Sequence, residues 1–297
     1  SGQGSIILRA ETGNITLHDG TAADTDNDIA ISAGGSGNIL VQAMDQGKSI
    51  TANAGITSSG GHVTVLASNN VSFSNEADIL TSGGTIDVQA TSGSITLSAT
   101  SNQDAGSGNI RFFAHSNITM GGIATTSGDV SLKAGAWIQD TDTDKGVDVQ
   151  AQNLRLEAGK YIGTGTNHLE TEVQTLSAKT SDGGLFLTES SALSIDHIGQ
   201  IAVNRVAADG SAAISAETTD AAQEDLTVVG GNLVLRTNEG SITINGGNDV
   251  AGITGTGNIL LQSQETNEET AADITLKSSI SSSGGSISVI AADTITQ

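Results

Sequence analysis

The chain has no cysteine and no proline among its 297 residues, and aromatic side chains make up only 2% of it. Without cysteine, disulfides and thiol chemistry are excluded, which leaves secretion open, since a chain exported unfolded has reason to lack crosslinks. Without proline, every backbone N–H after the first residue can enter a hydrogen-bonded ladder. The scarcity of aromatics argues against β-propellers, whose repeats of about 40 to 45 residues carry aromatic signatures. Basic residues are few as well: 11 Lys and Arg face 33 Asp and Glu, for a formal charge of −22. Such a field repels nucleic acids and anionic membrane surfaces, so binding through phosphate neutralisation is not expected, while divalent cations are attracted. No stretch approaches the roughly 20 apolar residues of a membrane span. No segment reads as a long amphipathic helix; Asp220 to Asp225 would make one turn at most.

What the chain does have is a recurring phrase: a Gly, a small polar residue, then a branched-apolar/x/apolar/x/small run. It occurs as Gly37-Asn38-Ile39-Leu40-Val41-Gln42-Ala43, and again from Gly61, Gly84 and Gly108, at spacings of 24, 23 and 24 residues. A period in this range marks solenoids. Each phrase reads as a strand whose alternate side chains face opposite ways. The inward set recurs as Ile6/Leu8/Ala10, Ile39/Val41/Ala43, Val63/Val65/Ala67, Ile86/Val88/Ala90, Ile110/Phe112/Ala114, Val130/Leu132/Ala134, Val147/Val149/Ala151 and Ile287/Val289/Ala291. Stacked coil upon coil, these columns would form an aliphatic core that no single repeat could bury alone.

A second glycine-led strand follows nine residues after the first at Gly4/Gly13, Gly84/Gly93 and Gly231/Gly240, joined by turns in which the second Gly supplies a positive φ. Two strands, a corner and a looser return fill about 24 residues, one rung of a parallel β-helix, with rungs rising roughly 4.8 Å each. The expected fold is all-β, a single right-handed parallel β-helix of about a dozen rungs of roughly 20 to 28 residues, forming a rod on the order of 60 Å. One domain spans 1–297, with regular rungs over 4–158 and 226–297 and irregular rungs with loops over 159–225. Insertions on one face of a solenoid often serve recognition, although loop length also drifts neutrally. The chain opens at Ser1-Gly2 and stops on a strand-like Asp293 to Gln297 with no capping element, so it reads as a piece of a longer solenoid.

The strings Glu11-Thr12-Gly13-Asn14-Ile15-Thr16-Leu17, Thr81-Ser82-Gly83-Gly84-Thr85-Ile86-Asp87-Val88 and Ser92-Gly93-Ser94-Ile95-Thr96-Leu97 resemble the repeats of very large bacterial surface proteins of the filamentous-haemagglutinin-like type. So does Ile162-Gly163-Thr164-Gly165 followed by Leu169 to Leu176. The resemblance runs over essentially the whole chain. It implies a right-handed parallel β-helix forming the shaft of an exported adhesin, located outside the cell or on its surface. The family's N-terminal secretion module and any receptor-binding motif are missing from the sequence, which leaves export route and ligand open.

Four local features bear on chemistry. Asp140, Asp142 and Asp144 put three carboxylates at alternate positions of an acidic turn, the kind of oxygen-rich loop that hard Ca²⁺ uses. The turn departs from the EF-hand pattern, with Gly146 at loop position seven and Ala151 at twelve, and a solvated acidic turn is the plainer reading. Asp24, Asp26 and Asp28 form a weaker copy. A polysaccharide lyase or hydrolase would need clustered carboxylates together with basic residues to hold an anionic sugar. Here Asp87 and Asp148 stand on outward strand positions rungs apart and without a basic cluster, Asp87 one rung from Arg111 in an expected surface ion pair, and only Trp137 and Tyr161 are suited to stacking on sugars. His18, His62, His115, His168 and His197 share no spacing of zinc ligands. Ile7, Leu40, Leu66, Phe113, Val234, Leu260 and Ile290 are apolar at outward positions, either an interaction patch or a surface that a return segment covers.

No residue is therefore assigned a catalytic, cofactor or metal role. The reading is a non-enzymatic structural shaft of an exported adhesin or surface fibre, its partners the neighbouring rungs of a parent protein and surface glycans or proteins. The first alternative is a carbohydrate- or protein-binding module that uses residues 160–226. The second is a polysaccharide-degrading enzyme.

Overall fold

The computed structural model describes residues 4–20, 28–75, 77–143, 145–266 and 270–297. Asp144, Asp24 and Asp26 of the two acidic turns lie outside them. The fold is all-β, a parallel β-solenoid of about 11 turns, as the repeat implies. Its residues divide into two compact units, 1–134 with 201–220, and 135–200 with 221–297.

In the first unit the repeated phrase forms the strands Ile6–Ala10, Ile39–Ala43, Val63–Ala67, Ile86–Ala90, Ile110–Ala114 and Asp129–Ala134, each parallel to the next. Register is strict: Val41 pairs with Val65, Val65 with Val88, Val88 with Phe112 and Phe112 with Leu132. These side chains are fully buried, and each contributes about 1.5 to 3 kcal/mol by leaving water. A shift of one residue would turn the whole column outward, so the alternation itself holds the register. The corner strands Ile15–Leu17, Ile50–Ala52, Val71–Phe73 and Ile95–Leu97 stack in the same way.

The leading glycines are required by close approach. A Cβ at Gly61, Gly84, Gly108 or Gly128 would collide with the carbonyl oxygen of the corresponding glycine one coil earlier. The corner glycines depart from expectation: of Gly13, Gly93 and Gly240 only Gly240 has positive φ, at 103°. Gly93 is instead pressed against the backbone of Asn69, which leaves no room for a side chain.

The second unit uses longer strands that bend through corners. Val149–Ala158 pairs in parallel with Leu169–Glu189, which pairs with Leu226–Thr237. Register shifts between Thr180 and Leu185 pass through Gly183, where φ is 159°. Two core columns run here, one through Leu154/Leu156, Leu176/Ala178 and Leu226, the other through Leu185/Leu187, Leu233/Leu235 and Ile259/Leu261, all buried. Val147, expected inward, is 41% exposed, and the expected inward residues Leu8 and Ile287 are likewise exposed, at 38% and 43%. In place of Val147 the column runs through Leu154/Leu156/Ala158, seven residues on, because the strand continues beyond Ala151.

The stretch 159–225, expected as irregular rungs, separates into two kinds of structure. Residues 169–189 stack in register between Val149–Ala158 and Leu226–Thr237, and Leu193–Ile195 pairs with Ile242–Ile244. Residues 201–220 form an antiparallel hairpin, with Ile201 opposite Asp220 and Arg205 opposite Ala213, lying on the outward face of the first unit. Its residues meet successive coils in order. Asn109 donates to the carbonyl of Ala202, Thr85 receives the N–H of Asn204, Thr64 that of Val206, and Asn38 donates to the carbonyl of Gly210.

The hairpin decides the fate of the outward positions. Leu40, Thr64, Asp87, Arg111 and Ser131 share one register column and all are buried. The Asp87–Arg111 pair, expected at the surface, is therefore internal. Arg111 Nη1 lies 3.1 Å from one Asp87 oxygen and Arg205 Nε of the hairpin 2.7 Å from the other. Asp220 receives Ser131 Oγ at 2.7 Å and stands 3.3 Å from Arg111 Nε. Asp87 thus keeps the Arg111 partner expected from the sequence and gains a second cation, Arg205, that was not expected. Of the apolar outward side chains, Leu40 is buried and Ile290 is 49% exposed, while Ile7, Leu66, Phe113, Val234 and Leu260 are half-buried.

Candidate functional site

Among the described residues, three carboxyl side chains with no cation between them converge in the second unit. Asp140 ends the strand Ile138–Asp140, Asp148 directly precedes Val149–Ala158, and Glu170 is the second residue of Leu169–Glu189. The pairing of Val149 with Thr171 stacks Asp148 beside Glu170 one coil on. The carboxyl oxygens of Asp140, Asp148 and Glu170 lie within 4.8 Å of one another. Asp140 and Asp148 are buried and Glu170 is half-buried.

The backbone satisfies much of this cluster. The Glu170 N–H donates to Asp148 Oδ2 at 2.8 Å, the Asp142 N–H to Asp140 Oδ1 at 3.1 Å, and Asn167 Nδ2 to Asp140 Oδ2 at 3.1 Å. Burial, and then the neighbouring charges of Asp140 and Glu170, push the Asp148 carboxyl up to about 9. Asp148 is accordingly protonated at neutral pH and hydrogen-bonds Asp140, whose own carboxyl is raised chiefly by burial. Three carboxyl groups this close suit a shared proton or a hard cation. Within the expected triad of Asp140, Asp142 and Asp144, the described part gives Asp142 a backbone role, its N–H on Asp140 and its carbonyl receiving Asn167 Nδ2 at 2.6 Å. Asp140 finds Asp148 and Glu170 instead.

Glu170 also borders a cleft of about 320 Å³ whose lining includes Lys145, Asn167, His168, Thr188, Arg236, Asn238 and Gln264. His168 Nδ1 is 2.8 Å from Thr188 Oγ1, and its ring lies tilted 6.0 Å from that of Phe186. Burial, reinforced by the Arg236 charge, lowers the His168 imidazole, so it is neutral at pH 7. Arg236 stands opposite Thr188 in the ladder, and its Nε is buried without a hydrogen-bond partner. Trp137 and Tyr161, the two rings considered for sugar stacking, lie against each other at 6.1 Å with planes 10° apart.

Two further buried carboxyls stand in this unit. Glu189 accepts from Thr171 Oγ1 and from the backbone N–H groups of Val173 and Ser191, and burial raises it to about 7. Asp225, at φ 66°, is raised to about 6 by burial and by Asp249, Glu224 and Asp196.

Sequence reasoning flagged Asp140 and Asp148 separately and missed Glu170, His168 and Arg236 as their neighbours. The register between Val149 and Thr171 would have joined Asp148 to Glu170, but the glycine-led phrase that gives the period elsewhere is absent there. Comparison of the chain with protein-family models, with curated proteins and with solved structures finds no match.

Proposed function

We propose that the chain is a structural shaft segment of an exported bacterial surface protein, with no catalytic role, and that it holds binding regions away from a cell. The observation that supports this reading most is the in-register repetition of one aliphatic column and one glycine column through the first unit. The inward faces of such a core are specified by stacking, so on that side a coil can be added without redesigning its neighbours. Duplicating residues 37–107 tests it. The longer chain should still unfold cooperatively and extend by about 14 Å in small-angle scattering, three coils at roughly 4.8 Å each. Aggregation, or a longer chain with no gain in length, would sink the reading.

The alternative of a binding module at 160–226 draws support only in part. The hairpin 201–220 covers its own unit's outward column, whereas 165–170 border the cleft. The enzymatic alternative is tested by turnover on a panel of polysaccharides. Asp140 and Asp148 are buried, so among the three carboxyl groups Glu170 alone lines the cleft.

A further inference from the structure

The cleft of the second unit carries positive charge in a chain of formal charge −22. Arg111, Arg155 and Arg205 each have a carboxylate within ion-pair distance. Among the described residues, no carboxylate pairs with Arg236. In a protein with three acidic residues for every basic one, an arginine facing a cleft with its Nε buried and unbonded is an unmet demand for an acceptor. Planar guanidinium groups answer that demand best with a planar carboxylate.

The rest of the lining indicates what carries the carboxylate. Asn238 and Gln264 offer amides that both donate and accept, Thr188 a hydroxyl, and Asn167, whose Nδ2 is spent on Asp140 and Asp142, its amide oxygen, while the large apolar surfaces that grip hydrophobic ligands are absent. Such a set matches a polyol. Neutral His168, anchored on Thr188, adds a ring nitrogen without adding charge. A volume of about 320 Å³ lies at the small end of ligand clefts. The overall negative field does not forbid an anion here, because charges beyond about 8 Å are largely screened at physiological salt.

We infer that this cleft is a binding site for a carboxylate-bearing saccharide, its carboxylate held by the Arg236 guanidinium and its hydroxyls by Asn167, Asn238 and Gln264. Lys145 supplies a second positive charge, and Glu170 rejects a ligand placed in the opposite sense. The site is independent of the shaft reading, since a shaft needs no ligand and a ligand site needs no shaft.

Titration calorimetry of the full chain with trigalacturonate, 3′-sialyllactose, maltotriose and a sulfated disaccharide tests this. Binding of either carboxylated sugar, with maltotriose at least tenfold weaker, is the expected result, and which of the two binds tells a uronate source from a sialylated one. Arg236→Gln should lose roughly tenfold to a hundredfold in affinity, the range of a charge-assisted hydrogen bond in a partly desolvated site. The circular dichroism spectrum of that variant should be unchanged. In the parent protein the imidazole of His168, followed by NMR, should titrate upward on binding, because the ligand's carboxylate offsets the Arg236 charge. Asn238→Ala offers a second variant, with a smaller loss expected. Equal binding of maltotriose, binding of the sulfated sugar alone, unchanged affinity in Arg236→Gln, or no heat from either carboxylated sugar at millimolar concentration would each overturn the assignment.

Discussion

The two units bury acidic side chains in stacked strands and neutralise them by different means. In the first, Asp87 receives Arg111 from the adjacent coil and Arg205 from the hairpin 201–220. In the second, Asp148 has Asp140 and Glu170 within 4.8 Å, and it keeps its proton up to about pH 9. A buried carboxyl needs either a cation or a proton. A parallel ladder brings residues one period apart face to face, so whichever charge stands at the equivalent position of the next coil decides between the two.

The sharpest way to break the contrast is to remove the acid with two cations. Asp87→Ala leaves Arg111 buried with Asp220 as its remaining acid and takes from Arg205 its closest carboxylate, leaving it Gln89 and the more distant Glu217. It should cost about 3 kcal/mol, read as a fall in the denaturant midpoint. A loss below about 1 kcal/mol would mean that the hairpin holds through its backbone contacts alone. Closing the gap between Gly61 and Gly84 comes next. Gly84→Ala places a Cβ against the Gly61 carbonyl and should cost about 2 to 4 kcal/mol, in the range of overpacking and backbone displacement.

Smaller effects sharpen the other side. Glu170→Lys gives Asp148 the cation it lacks, and carbon-13 NMR of its carboxyl should show the midpoint moving well below 9. Asp148→Asn preserves the hydrogen bonds without the titration and should stabilise the chain by about 1 to 2 kcal/mol at pH 8.5, with little change at pH 4.

The direction of that pH effect follows from the raised carboxyls. Asp148, Glu189 and Asp225 titrate at about 9, 7 and 6 in the folded chain and near 4 when unfolded. Between those limits the folded state binds more protons, so their contribution is complete below about pH 4 and is lost as pH rises toward 9. Thermal midpoints should therefore be higher at pH 5 than at pH 8.5. A rising midpoint over that interval would mean that the carboxyls are ionised and paired with groups other than those described.

Much of the fold was legible because the inward column, the leading glycine and the turn residues all repeat with one period, so each coil states the same geometry again. Legibility failed where that phrase failed. Val147 was read into the core because Val147/Val149/Ala151 imitates the column, whereas Leu154/Leu156/Ala158 fills it. The segment 201–220 was read as rungs because Ile201 and Val203 alternate, although a short alternating strand looks the same whether it extends a coil or lies across several.

Sequence alone determined the class of fold, the inward faces of the coils from Gly37 to Ala134 and the absence of thiol chemistry, because these depend on local alternation, close approach and composition. Tertiary structure decided which charges meet. Arg205 reaches Asp87 across 118 positions of chain, and Asp148 finds Glu170 only through a register that the local pattern does not state. Electrostatic partnership depends on distance in space, and over such separations the order of residues carries no record of it.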